Sequence, residues 1–121
     1  QYKIPIGWNE GTITFRVFWT ATSGVALDGV VFGLKARAFS NDDPIDAAWG
    51  TEVIVTDFLL AQSDIHISPI SADVTIGGTP VEGDIVLFNI ARKVADANDV
   101  LPGDAKLMGV ELTFTRNTIT D

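Results

Sequence analysis

Three long runs in this chain alternate apolar with polar side chains, and that period of two restricts what it can fold into. From Thr12 to Trp19 the apolar set is Ile13, Phe15, Val17 and Trp19. From Val30 to Ala38 it is Val30, Phe32, Leu34, Ala36 and Ala38, with Lys35 and Arg37 between the last members. From Lys106 to Phe114 it is Met108, Val110, Leu112 and Phe114. Successive side chains on a strand point to opposite faces, so each run reads as a strand with one buried face. No long segment carries the 3.6-residue period of a helix.

Turn residues divide the chain into about eight strands: Tyr2–Ile6, Gly11–Thr20, Val30–Phe39, Thr51–Asp57 with an extension towards Leu60, Ile65–Ile67, Val74–Ile76, Ile85–Val94 and Ala105–Thr115. Pro5 places the first at a sheet edge, because proline cannot donate to a ladder. Ser40-Asn41-Asp42-Asp43-Pro44 is a strong breaker. Ile45–Gly50 is expected to form one helical turn, and Gly77-Gly78-Thr79-Pro80 a turn. The expectation is an all-β single domain over residues 1–121, an antiparallel β-sandwich of jelly-roll type. With no initiating Met, the chain is expected to be the C-terminal part of something longer.

Two segments break the one-faced pattern. Ile85 and Leu87 oppose Val86, Phe88 and Ile90, while Ile54 and Phe58 oppose Val53 and Val55. The outer faces of a small antiparallel sandwich are normally wet. Ile54, Phe58, Ile85 and Leu87 are therefore expected at a subunit interface, unless a loop such as Ala95–Asp104 covers them.

Composition excludes several classes. Hydrophobic residues make up 46% of 121, enough for a core. Sixteen acidic against 8 basic residues give a formal charge of −8. That charge argues against nucleic acid and anionic membrane surfaces as partners. No apolar run approaches the roughly 18 residues of a transmembrane helix. The chain has no cysteine, so thiol chemistry and disulfides are excluded.

Candidate chemistry is sparse. His66 is the only histidine; Asp64 and the hydroxyls of Ser63 and Ser68 are near it in sequence, but no nucleophile motif accompanies them. A surface or interface histidine is the plainer expectation. Asp42 with Asp43, and Asp96 with Asp99, are close carboxylates in loops. The second pair offers some calcium-type oxygens but lacks EF-hand spacing, so neither a metal nor a cofactor is assigned. Trp19 belongs to the core register. Trp8 and Trp49 sit in loop settings, where an aromatic ring beside Asp42 and Asp43 can hold a sugar. Arg16, Lys35 and Arg37 are expected on polar faces.

The stretches Gly7-Trp8-Asn9-Glu10-Gly11-Thr12-Ile13-Thr14-Phe15, Gly33-Leu34-Lys35-Ala36-Arg37-Ala38-Phe39-Ser40-Asn41-Asp42-Asp43, Val74-Thr75-Ile76-Gly77-Gly78-Thr79-Pro80-Val81-Glu82-Gly83-Asp84 and Asp104-Ala105-Lys106-Leu107-Met108-Gly109-Val110 resemble a group of small virion-associated proteins of tailed bacteriophages. The likeness runs along nearly the whole chain and transfers no functional residue. It implies a non-enzymatic structural component of the virion, a capsid decoration protein or a fibre module. Such a protein would assemble in the host cytoplasm as a trimer and contact other virion proteins such as the capsid protein. The alternative is a receptor-binding fibre domain that holds a host surface glycan through Trp8, Trp49, Asp42 and Asp43.

Overall fold

The computed structural model describes residues 2–3, 11–81 and 83–114. Seven strands are present: β1 (Tyr2–Lys3), β2 (Thr14–Ala21), β3 (Gly29–Phe39), β4 (Val53–Phe58), β5 (His66–Ile67), β6 (Ile85–Arg92) and β7 (Ala105–Thr113). They form two antiparallel sheets, β1-β6-β3-β4 and β5-β2-β7. Only β3 and β4 are neighbours both in sequence and in a sheet, and no barrel closes among the described residues. The domain is all-β, as the alternation requires.

The two sheets share one core. Phe15, Val17, Trp19 and Ala21 of β2 face Val30, Phe32, Leu34, Ala36 and Ala38 of β3, with Val55 and Val86 from the flanking strands. Trp19 is fully buried and meets Phe32 across the core at 6.3 Å between ring centroids. Burying an aromatic side chain of this size contributes about 1.5–3 kcal/mol, which is why it sits where the layers meet.

Neither central strand has a full-length neighbour on each edge, and short segments complete the ladders. Along β3, β4 pairs only from Gly29 to Leu34. Beyond it the Ala36 carbonyl accepts from the amides of Gly50 (3.0 Å) and Gly77 (2.9 Å), and the Ala38 amide donates to the Gly77 carbonyl. On the other edge β6 pairs from Phe32 onward. Before that point the Val31 amide donates to the Asp99 carboxylate, and the Val100 and Leu101 amides donate to the Gly29 carbonyl. Along β2, Ser68 and Ser71 take the place of a strand. Their hydroxyls accept from the amides of Val17 (2.9 Å) and Phe15 (3.0 Å) and donate to the carbonyls of Pro69 and Ala72.

Several expectations change. Val74–Ile76 is not a strand: Val74 bridges to Ile13 in one layer and Gly77 to Arg37 in the other, so the segment crosses between sheets. The described strands therefore number seven, not eight. Ile45–Gly50 forms no helical turn, because its end is held in the β3 ladder through Gly50. Met108 is not a core residue. A bulge opposite Phe18/Trp19 pairs Phe18 with Gly109 and Trp19 with Leu107, which turns Met108 outward. Of the expected first strand, only Tyr2–Lys3 falls among the described residues.

Gly50 and Gly77 meet where the ladder of β3 changes partners. A methyl group on Gly77 would lie 2.7 Å from the Gly50 nitrogen, and one on Gly50 would overlap the Thr75 carbonyl oxygen. Both contacts are with backbone, which cannot swing aside. Gly50→Ala and Gly77→Ala are each expected to destabilise the domain by about 2–3 kcal/mol in denaturant unfolding. Gly83→Ala, with open space around it, should cost only the strain of its positive φ. Equal losses at all three positions would contradict this account.

Candidate functional site

β4 and β5 are edge strands of different sheets, and they converge beside Trp19. Trp19 Nε1 donates to Asp57 Oδ2 on β4 at 2.9 Å, and its ring stacks on His66 of β5 at 4.7 Å. His66 is buried, which overturns the expectation of a surface histidine; its side chain does point away from Ile65 and Ile67, into the core. Its Nε2 accepts from the Leu60 amide at 2.9 Å. Its Nδ1 is buried and has no hydrogen-bond partner among the described residues.

Above this floor lies a groove of about 400 Å³, walled by Leu27, Phe58, Leu60, Ile65 and Ile67 over Asp57 and His66. The wall residues are between 48% and 70% exposed, an unusual concentration of free apolar surface. Leu27 sits at φ +72°, a region that leucine avoids. It is held there by its amide bond to the Leu59 carbonyl at 2.6 Å, which the Leu59 amide answers by donating to Asp28.

The four residues expected at an interface all lie on the outer face of the four-stranded sheet. Register places Ile54 and Phe58 opposite Gly33 and Gly29, and Leu87 and Ile85 opposite Arg37 and Phe39. Ile54, Phe58 and Ile85 are 42–48% exposed, and Leu87 is half-buried. Lys35 and Arg37 lie between the two apolar ends. The 93–104 loop covers part of this face: the Asn98 carbonyl lies over Gly29, and Val31 on the same side is fully buried, while Ile54, Phe58 and Ile85 stay open. The loop runs along the edge of β3 and inserts Leu101 into the core.

Of the sugar-site candidates, Trp49, Asp42 and Asp43 are among the described residues. Trp8 lies outside the described residues. Trp49 is partly exposed, with the Lys35 ammonium 5.7 Å from its ring centre. Asp43 closes its own turn by accepting from the Ser40 amide, and Asp42 occupies a left-handed turn position. No hydrogen bond among the described residues joins either carboxylate to Trp49. The catalytic candidates fare no better, since Ser68 serves the β2 ladder through both its donor and its acceptor. Arg16 pairs with Glu111 of its own chain.

Asp99 has a structural role that its loop position concealed. Arg92 Nη2 lies 2.6 Å from Asp99 Oδ1, and the Asp99 side chain is only 2% exposed. The same guanidinium donates to the carbonyls of Leu101 and Gly103. Burial by itself would push the Asp99 carboxyl up. The hydrogen bonds from Arg92 and Val31, with the Arg92 charge, outweigh it and hold the group below the ordinary carboxylate value. Both Asp99 oxygens accept from Arg92, and the described residues contain no cluster of three or more metal-ligating side chains.

No protein-family model, curated protein or solved structure matches this chain.

Two predictions follow from this geometry. Because the folded pKa of Asp99 lies below its unfolded value of about 3.9, the stability it adds is present above that value and disappears as pH falls through the folded pKa. Asp99→Asn should therefore cost about 3 kcal/mol near neutral pH, with the gap from wild type narrowing in urea titrations taken towards pH 3. A gap independent of pH would refute the ion-pair role. Leu27→Gly relieves the strained φ and loses little burial. It is expected to raise stability by about 1 kcal/mol, measured as the thermal midpoint; a clear loss would show that Leu27 supports the fold.

Proposed function

We propose that this chain is a non-enzymatic structural component of a bacteriophage virion, a capsid decoration or fibre module that assembles with copies of itself and with capsid protein. The observation that carries the reading is the outer face of the four-stranded sheet. Ile54 and Phe58 at one end, and Ile85 with Leu87 at the other, leave apolar side chains open on a sheet face that a small sandwich normally keeps polar. The resemblance to virion-associated proteins points the same way. In this proposal the two layers are the visible part of a jelly-roll sandwich.

The charge on that face bears on symmetry. Lys35 and Arg37 lie at its centre, and neither forms an ion pair among the described residues. Two identical faces packed about a two-fold axis would bring these cations together. A heterologous contact, cationic face against an acidic surface of the next copy, avoids the repulsion and closes as a ring. Three copies form the smallest such ring, in keeping with the expected trimer. The glycan-binding alternative has less support, because Asp43 is committed to its own turn and Lys35 stands beside Trp49.

Sedimentation equilibrium of the purified chain should give three times the single-chain mass. Ile54→Asp and Ile85→Asp, at exposed positions, should each give a folded monomer. A wild-type chain that stays monomeric at high concentration, with no affinity for capsid protein, would sink the proposal.

A further inference from the structure

We infer that the groove between β4 and β5 receives a lysine side chain projected by a partner protein, its aliphatic stem between the apolar walls and its ammonium at Asp57. This inference rests on the groove, which shares only Phe58 with the outer face proposed for assembly.

The walls and floor match the two parts of such a side chain. Leu27, Phe58, Leu60, Ile65 and Ile67 supply the apolar channel, in which a four-carbon stem buries itself while its charged end reaches a polar site. Asp57 supplies the anion. The Trp19 indole N–H holds Asp57 Oδ2, which orients the carboxylate. No cation lines the groove to neutralise it.

The surroundings reinforce the sign. The sequence has no lysine or arginine between Arg37 and Arg92, the stretch that supplies β4, β5 and most of the groove. Asp28 follows Leu27 and Asp64 precedes Ile65, so two further carboxylates flank the wall residues in sequence. Nearby charge of one sign raises the local concentration of a cationic partner and speeds its encounter.

The geometry also separates lysine from arginine. Four of the five walls are aliphatic, a lining for the four-carbon stem of lysine rather than for a planar guanidinium, which gains from stacking on aromatic faces.

The test is an NMR titration of the full chain, read at the Trp19 indole N–H that reports directly on Asp57. The probes are Nα-acetyl-lysine N-methylamide and its norleucine and arginine counterparts. The lysine probe should give a saturable shift and bind about fivefold more tightly than the norleucine probe, the scale of one partly solvated charge pair. Asp57→Asn keeps an acceptor for Trp19 and should reduce the lysine probe to the norleucine level. Leu27→Gly, which removes a wall and leaves the charge, should weaken both probes alike. No saturable shift, equal affinities in the wild-type chain, a lysine preference that survives Asp57→Asn, or tighter binding of the arginine probe would each overturn the inference.

Discussion

A buried indole N–H must find an acceptor, and in this domain that requirement joins the two layers at one point. Trp19 lies in the middle of the core, where an unsatisfied donor costs about 1–3 kcal/mol. Its partner is Asp57, on the opposite sheet. The same ring packs on Phe32 of β3 and stacks on His66 of β5. Moving β4 by one residue along β3 would turn Asp57 outward and Phe58 inward, losing the acceptor and crowding the core. One polar contact thus helps to set the register of β4, the orientation of His66 and the floor of the groove between them.

The remaining architecture follows from a shortage of strand. β2 and β3 are long and central, and their neighbours are too short to pair with them throughout. Buried backbone groups cannot be left bare, so loops supply single hydrogen bonds at the required positions. Ser68 and Ser71 work for β2, Asp99 and Gly50 with Gly77 for β3. The consequence is that connecting segments are pinned to the core strands. The loops that carry Leu27, Leu60 and Ile65 are among them: Ser63 donates to the Ala21 carbonyl, and the Gln62 amide to the Gly24 carbonyl. The groove is therefore built on a braced end of the domain, and a ligand would have little ordering to impose on it.

The parts of this arrangement that depend on a period of two were legible in the sequence. Alternation located β2 and β3 and assigned the inward and outward members of β4 and β6, including the exposure of Ile54, Phe58 and Ile85. Events that interrupt the period were not legible. The bulge at Met108 shifts the register of β7 by one residue, and nothing in Leu107-Met108-Gly109 distinguishes it from regular alternation except a glycine that any strand might hold. Asp99 resembled a turn residue because its work, replacing a main-chain carbonyl beside Val31, depends on a residue 68 positions away. His66 looked like a surface group because burial of an imidazole depends on its stacking partner, Trp19, which belongs to another strand. Leu27 lay in a segment read as a connection, while Leu60 and Ile65 were read as strand ends, with nothing in the period to bring them beside Leu27. The available signal for Leu27 was its apolar character in a loop that is otherwise small and polar.

Inward and outward side chains of the same strands meet different surroundings. Asp57 gives one carboxylate oxygen to Trp19 and lines the groove. β4 sends Val53 and Val55 towards the core, while Ile54 and Phe58 face solvent. β6 divides in the same way between Val86 and Ile85. A strand is suited to this division because adjacent side chains leave on opposite sides at no backbone cost. It follows that the outward set can change with the partner while the inward set stays fixed, since substitutions at exposed positions away from caps and ladders typically alter stability by no more than about 0.5 kcal/mol. Glu52 is the informative exception. It pairs with Lys93 at 3.1 Å, and its side chain lies over Gly33, filling the space that a side chain there would occupy. The outer face is thus closed by a charged lid at Gly33 and by the Asn98 carbonyl over Gly29, while Ile54 and Phe58 on β4 and Ile85 on β6 stay exposed.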